Sequence, residues 1–126
     1  MDFSPNGSVL LTGWGPGSKK KVALYDVSNG NNIGNVTVGD AVESVDYSED
    51  GTSYAFGGLD NDLIIYNGTV YGTNIATFTE PTSDVYSVDY SYDSMWLAVG
   101  NKDNNVYIYS NDCEPHKSID YVSCPL

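Results

Sequence analysis

The sequence predicts an all-β protein built from three copies of one small sheet, and three observations lead to this prediction. No stretch of the 126 residues keeps an apolar 3.6-residue period over three helical turns, as an amphipathic helix would. Short runs rich in Val, Ile, Tyr and Thr alternate instead with clusters of Gly, Asn and Asp, the pattern of short strands joined by tight turns. Finally, a unit of about 43 residues recurs along the chain, as in repeat architectures.

Three landmarks define the repeat and occur in the same order in every copy. The first is an Asp-Phe-Ser or Asp-Tyr-Ser tripeptide, found at residues 2–4, 46–48 and 89–91. The second is an apolar run that leads into glycine, found at residues 9–13, 54–58 and 96–100. The third is an apolar run that ends in tyrosine, found at residues 22–25, 63–66 and 106–109. The first landmarks are 44 and 43 residues apart, so we treat the copies as true repeats.

The repeat divides a single domain, residues 1–126, into units with regular boundaries. We expect the units at about residues 1–40, 41–83 and 84–112, and a tail with the start of a fourth repeat at about 113–126. Each unit is expected to be a four-stranded antiparallel meander. The third strands are apolar at consecutive positions, which indicates that both faces of each sheet are covered by neighbouring sheets.

The second unit allows the most detailed prediction of strands and turns. Its strands are expected at about residues 42–47, 53–58, 62–66 and 74–78. The pair Asn67-Gly68 is a turn sequence that tolerates positive φ angles, and we expect it to connect the third strand to the outer one.

These units resemble the repeats of the WD-repeat β-propeller family. The resemblance rests on Val-x-Ser-Val-Asp-Tyr-Ser-x-Asp-Gly, then Ala-x-Gly-x-x-Asp, then Leu-Ile-Ile-Tyr in the second unit, and it extends from residue 2 to about residue 121. It implies stacked four-stranded blades and a non-catalytic protein–protein interaction scaffold. Closed propellers have four or more blades, so three predict an incomplete propeller that is completed by further sequence or by other copies.

The resemblance also assigns structural roles to six residues, which are Tyr25, Asp26, Asp60, Tyr66, Asp103 and Tyr109. The tyrosines stand where the family has the tryptophan that closes the third strand, and Asp26 completes the Trp-Asp pair of the first unit. Asp60 and Asp103 correspond to the aspartate of the turn between the second and third strands. The Gly-His pair that usually precedes the first strand is missing, so the family's hydrogen-bond network is expected to be incomplete.

Charge limits the classes of partner. The chain has 17 acidic residues and five basic ones, all lysines, for a net charge of −12. Nucleic acids and anionic membrane surfaces require clustered cations, so we expect neither as a partner. No apolar run approaches the roughly 20 residues of a membrane helix, so no membrane insertion is expected. An acidic, tyrosine-rich surface selects a basic or polar protein partner.

We expect no enzyme, metal or cofactor. The only histidine, His116, cannot be placed beside any serine nucleophile by sequence logic. His116, Cys113 and Cys124 would supply three zinc ligands, whereas a structural zinc site has four. The two cysteines can form a disulfide across ten intervening residues or remain free thiols.

Four surface residues are further candidates. Asn6, Asn35 and Asn67 begin N-glycosylation sequons that fall on turns or an outer strand. With the cysteine pair they leave an extracellular location open, while the family resemblance favours the cytoplasm. Trp14 lies on a predicted hairpin tip, where it would either contact a partner or pack against the adjacent unit.

Two functions therefore fit the sequence. The first is an interaction scaffold that binds protein partners. The second is a structural module that assembles with copies of itself, in one version secreted and carrying N-glycans. A head-to-tail contact between such copies forms a ring if the rotation closes and a filament if it does not.

Overall fold

The computed structural model describes residues 1–17, 19–79 and 81–110, together with the backbone of residues 121–123. Cys113, His116 and Cys124 lie outside the described residues, so neither the disulfide nor the expected absence of a zinc site is tested. Within the described ranges, no helix has the length and apolar character needed to span a membrane. The regular structure there consists of three small sheets.

The first two sheets are four-stranded antiparallel meanders, as predicted. The first contains β1 (Asp2–Phe3), β2 (Val9–Gly13), β3 (Lys21–Asp26) and β4 (Asn32–Thr37). The second contains β5 (Val42–Tyr47), β6 (Ser53–Gly58), β7 (Leu63–Asn67) and β8 (Asn74–Phe78). In the second sheet only the third strand differs from the expected position, and it does so by one residue at each end.

The third sheet differs from this meander in its outermost strand. β9 (Val85–Tyr90), β10 (Trp96–Asn101) and β11 (Val106–Ser110) are antiparallel, but β12 (Tyr121–Ser123) pairs with β11 in parallel. A parallel partner requires a long connection instead of a hairpin turn, and residues 111–120 separate these two strands. The start of a fourth repeat, expected within residues 113–126, remains a prediction.

The sheets stack face to face in chain order and form an open arrangement. One apolar cluster joins the first two sheets and includes Leu11, Leu24 and Phe56. A second cluster joins the second and third sheets and includes Leu63 and Val99. Burying each such side chain contributes about 1.5–3 kcal/mol, so these clusters account for the cohesion between sheets.

The middle sheet confirms that the strands are covered on both faces when a sheet has two neighbours. All six residues of β6 are buried. The equivalent strands β2 and β10 contain residues that are only partly buried, because each of their sheets has a described neighbour on one face. The difference arises from position in the stack, since the three strands occupy the same place in the repeat.

Glycine residues permit this close stacking. A Cβ atom on Gly13 would lie 2.6 Å from Cγ1 of Val42 in the next sheet, and one on Gly57 would lie 2.4 Å from Cγ1 of Val85. Both distances are far shorter than a normal carbon–carbon contact of about 3.5–4.0 Å. The equivalent Gly100 has only Ser87 of its own sheet near its Cβ position, at 3.8 Å.

The turn predicted at Asn67-Gly68 is present, because β7 ends at Asn67 and the chain reverses before β8. Neither residue has a positive φ, and the loop continues to Gly72, whose φ is +83°. Glycine is required at position 68 for another reason, because a Cβ there would lie 2.3 Å from the carbonyl oxygen of Gly51. Sequence propensity detected the turn but not the neighbouring backbone.

Candidate functional site

Equivalent turns of the three sheets lie at the same end of the stack because a repeated set of hydrogen bonds aligns the inner strands. The amide of Tyr47 donates to Asp2 Oδ2 at 2.9 Å, and the amide of Tyr90 donates to Asp46 Oδ2 at 2.6 Å. The amide of Val88 donates to Ser44 Oγ at 3.1 Å. The constant separation of 44 to 45 residues shows that β1, β5 and β9 run in the same direction.

Two ends of the stack can therefore be distinguished. We call the turn end the one that bears the loops between the first and second strands and between the third and fourth strands of each sheet. We call the linker end the one that bears the loops between the second and third strands and the connections from one sheet to the next. Sequence analysis missed this alignment, although its signal, one aspartate in every first landmark, was present.

Charge is distributed unequally between the ends. The described lysines all lie at the linker end and are Lys19, Lys20, Lys21 and Lys102. Two of them form ion pairs there, Lys20 with Asp40 at 2.9 Å and Lys102 with Asp84 at 3.7 Å. The described residues of the turn end carry only acidic charges, from Asp26 at the end of β3 and from Glu49, Asp50 and Asp93 in the loops.

The turn end also exposes several large apolar and aromatic side chains. These residues are Val27, Val70, Tyr71, Tyr92 and Met95. Tyr92 is 89% exposed and Tyr71 is 38% exposed. Exposed aromatic residues are typical anchors of protein interfaces, so this end combines contact residues with negative charge.

A cleft of about 350 Å³ opens at the turn end between the first and second sheets. Pro5 and Asn6 of the first sheet lie on one side, and Asp50, Thr69 and Tyr71 of the second lie on the other. Its lining is mixed in character, with hydroxyl, amide and carboxylate groups beside a phenol ring and a proline ring. Sequence analysis missed the cleft because its two sides are more than 40 residues apart.

Local hydrogen bonds hold both sides of the cleft. Asn6 Oδ1 accepts the amide of Ser8 at 3.0 Å and its hydroxyl at 2.7 Å. Asp50 Oδ1 accepts the Thr52 amide at 3.0 Å and the Thr52 hydroxyl at 2.8 Å. Such turns, in which a side chain binds the backbone two residues on, are typical of Asn and Asp.

The carboxylate of Asp50 is ionised at neutral pH. Partial burial opposes ionisation, but hydrogen bonds from Thr52 and Ser48 outweigh it and lower the pKa of Asp50 below its usual value. The Ser48 hydroxyl donates to Asp50 Oδ1 at 2.7 Å, and the Asp50 amide donates to Ser94 Oγ of the third sheet at 3.0 Å. The residue is therefore fixed by contacts with two sheets.

At the linker end, Asp103 is the centre of a hydrogen-bond network. Its Oδ2 accepts the Thr82 hydroxyl at 2.8 Å and the Tyr107 hydroxyl at 2.9 Å, and its Oδ1 accepts the Asn105 amide at 2.9 Å. Desolvation opposes ionisation, but these bonds lower the pKa of Asp103 to about 2. The equivalent Asp60 accepts one hydrogen bond described here, a long one of 3.4 Å from the Asp62 amide.

The inner strands bring acidic groups together. Burial raises the pKa of Asp46 to about 6, with further contributions from the neighbouring Asp2 and Asp89. Asp46 is half-buried between sheets, whereas the equivalent Asp89 on the third sheet is exposed. Among the described residues, no group of three or more His, Cys, Asp or Glu is arranged to hold a metal ion.

The tyrosines predicted to close the third strands lie in equivalent places but differ in burial. Tyr109 is fully buried and its ring centre is 4.6 Å from that of Phe78 in the preceding sheet. Tyr66 packs against Tyr54 at 5.8 Å, next to the first sheet. Tyr25 is only half-buried.

The remaining predicted residues lie at or near the surface. Asp26 ends β3 and accepts the Ser28 amide at 2.8 Å, and hydrogen bonds from Ser28 lower its pKa. Trp14 is half-exposed, with its Nε1 donating to Thr12 Oγ1 at 3.1 Å and with Lys21 Nζ 5.0 Å from its ring centre.

The three sequon asparagines differ in accessibility. Asn6 and Asn35 are exposed. Asn67 is partly buried, and its Oδ1 accepts the amides of Thr69 and Val70, both at 2.8 Å, and the Thr69 hydroxyl at 2.9 Å.

Comparison with known proteins identifies this arrangement. The family model "WD domain, G-beta repeat" matches residues 72–110, the range from just before β8 to the end of β11. The structure matches 758 solved chains. One is the crystal structure of RRP9 WD40 repeats, with a TM-score of 0.78 and 16% sequence identity over 86% of this chain. Residues 72–110 therefore match a WD repeat, and the three sheets have the fold of WD-repeat propeller blades.

The matched WD repeat is offset from the blades by one strand. It begins with the outer strand of the second blade and ends with the third strand of the third blade. This chain spans about a third of the RRP9 chain, 34% of its length. No curated protein sequence matches it. WD-repeat propellers are in general non-catalytic scaffolds that bind protein partners.

Proposed function

We propose that this chain is a non-catalytic scaffold that binds a protein partner at the turn end of its blades. The observation that carries the proposal is the set of exposed aromatic and apolar residues there, led by Tyr92 and Tyr71. They lie on short loops between strands of stacked sheets, so little conformational entropy is lost when a partner binds them. The absence of lysine from the described turn-end loops favours a basic or polar partner.

Site-specific photo-crosslinking tests this proposal. A photoreactive phenylalanine analogue is placed at position 71, 92 or 33 of the protein in its native cells. Ile33 is the matched control because its exposure, 38%, equals that of Tyr71, but it lies on the outer strand β4. We expect a discrete crosslinked protein from positions 71 and 92 and none from position 33. Equal crosslinking from all three positions, or none, would contradict the proposal.

A second candidate function is structural self-assembly, in which a copy of the chain stacks on the third blade. Ser87 and Asp89 are exposed there, while the equivalent Ser44 and Asp46 are half-covered by the next blade and accept its amides. Phe3, which would receive such a contact on the first blade, is 54% exposed. These observations support a head-to-tail contact between copies.

Sedimentation across a range of protein concentrations tests this second function. A ring predicts one defined oligomer, and a filament predicts mass that grows with concentration. Gly100→Ala is expected to weaken either assembly, since a Cβ there would meet the incoming blade as it would at Gly57. A species of constant monomer mass would contradict self-assembly.

The secreted version of this function has a separate test. Glycopeptides that contain Asn6 or Asn35 are expected in tryptic digests of native material. Unmodified asparagine at every sequon would contradict secretion through a glycosylating compartment.

A further inference from the structure

We infer that the cleft between the first and second blades binds a lysine or arginine side chain presented by a basic segment of the partner protein. This inference rests on the proposed scaffold function and adds a place and a chemical class of ligand. The cleft itself is about 350 Å³, near the small end of the roughly 300–1,000 Å³ range of ligand pockets. That size suits one or two side chains of a peptide.

The charge of the cleft favours a cation. Its carboxylate, Asp50, is held ionised by hydrogen bonds, and the described lysines all lie at the opposite end of the stack. The hydrogen bonds from Ser48 and Thr52 all reach Oδ1 of Asp50, and we therefore assign the contact with the bound cation to Oδ2. A charge-assisted hydrogen bond of this kind is stronger than a neutral one.

The walls of the cleft suit the rest of a basic side chain. Tyr71 and Pro5 line it and provide apolar surface for the methylene groups of lysine or arginine. The Tyr71 ring can also attract the cationic group through its π face. Asn6 and Thr69 add polar atoms to the lining.

The cleft is also rigid, which reduces the entropy lost on binding. The Gly68 amide donates to the carbonyl of Thr52 at 2.9 Å, which joins the two turn-end loops of the second blade. Gly51 lies against Pro5 of the first blade, with 3.6 Å between its Cβ position and Pro5 Cδ. Both sides of the cleft are thus fixed before a ligand arrives.

Fluorescence anisotropy with labelled hexalysine, hexaarginine and hexaglutamate tests the inference. The key variant is Asp50→Asn, because asparagine removes the charge but can keep the turn to Thr52. Its matched control is Glu49→Gln, which removes the same charge from an exposed neighbour that does not line the cleft. Thermal unfolding of each variant checks that the fold is retained.

We expect both basic peptides to bind and hexaglutamate not to bind. Asp50→Asn should raise the dissociation constant by about tenfold or more. The dissociation constant of Glu49→Gln should stay within about threefold of that of the unmodified chain. Tyr71→Ala, a change on an exposed loop, should weaken binding while Tyr71→Phe retains it. Equal losses for Asp50→Asn and Glu49→Gln would overturn the inference, because they would indicate diffuse attraction to an acidic surface.

The result can be separated from the scaffold proposal by the crosslink at position 92, a residue of the third blade away from the cleft. If that crosslink persists while both basic peptides fail to bind, the cleft inference is wrong and the scaffold proposal stands. If the crosslink is absent, the scaffold proposal fails independently of the peptides.

Discussion

Replacing Gly57 by alanine should separate the second and third blades, and the size of the effect follows from the structure. The new Cβ would lie 2.4 Å from Cγ1 and 2.7 Å from Cβ of Val85. Rotation of the valine side chain cannot relieve the second contact, because the position of Cβ is set by the backbone of β9. Overpacking of this kind costs about 1–3 kcal/mol, partly offset by the roughly 0.5–1 kcal/mol that alanine gains over glycine in a strand.

Gly100→Ala is the matched control because Gly100 occupies the same place in the third blade. Its Cβ would meet only Ser87, at an ordinary 3.8 Å. From the central values of these two ranges we expect Gly57→Ala to lower the free energy of unfolding by about 1 kcal/mol and Gly100→Ala to raise it by up to about 1 kcal/mol. The two substitutions have identical chemistry, so an opposite sign isolates the stacking of blades.

Urea denaturation followed by circular dichroism measures both effects, with the chain dilute enough to sediment as a monomer. The midpoint should shift while the slope of free energy against urea stays constant. A neutral or stabilising Gly57→Ala would refute the close approach of β6 and β9. A loss of stability at Gly100 as large as that at Gly57 would refute the difference between covered and uncovered blades.

Three further predictions concern buried and titrating groups. Tyr90→Phe should lower the free energy of unfolding by about 1 kcal/mol, because the Tyr90 hydroxyl forms a hydrogen bond with Ser53 Oγ at 3.0 Å. Tyr54→Phe should be neutral or stabilising, because the Tyr54 hydroxyl is buried with no hydrogen-bond partner among the described residues. The pKa of Asp46 is raised to about 6 in the folded chain, so the folded chain binds this proton more tightly than the unfolded chain does. The free energy of unfolding should therefore fall as pH rises from about 4 to about 6. Asp46→Asn should reduce this dependence on pH, as measured by urea titrations at each pH. The free energy of unfolding should also fall as pH drops from about 4 toward 2, because the pKa of Asp103 is lowered to about 2 in the folded chain. Asp103→Ala should reduce this loss at low pH and should lower the melting temperature at pH 7.

Each of these predictions has a contradicting outcome. Equal effects of the two tyrosine substitutions would show that the Tyr90–Ser53 bond contributes nothing. If Asp46→Asn leaves the pH dependence of stability unchanged, Asp46 is not the group that binds this proton between the blades. A melting temperature unaffected by Asp103→Ala would mean that the Asp103 network does not stabilise the third blade.

The strands were predictable because they depend on local sequence and on a repeat that is visible without a structure. In the second blade three of the four predicted strands have the bounds of β5, β6 and β8, since β-branched and aromatic runs end there at Asn, Asp and Gly clusters. The shift in β7 reflects tertiary pairing, because Asn67 pairs with Ser53 across the sheet.

The features that required the structure all depend on residues brought together by stacking. The role of Asp46 as an acceptor for the next blade joins residues 44 positions apart, and the repeat shows only that an aspartate recurs. Asp103 was assigned through the family resemblance, but its partner Thr82 lies in a connection with no motif of its own. The cleft depends on how the loops of two blades meet, which no local pattern encodes.

The stacking of equivalent blades can be tested most directly by nuclear Overhauser contacts in the dilute monomer. Strong contacts are expected from the α protons of Gly13 to the methyl groups of Val42, and from those of Gly57 to the methyl groups of Val85, whereas Gly100 should show no such contact with a valine methyl of another blade. Absence of the first two contacts, or direct pairing of the outer strands β4 and β8, would contradict a radial stack of three blades.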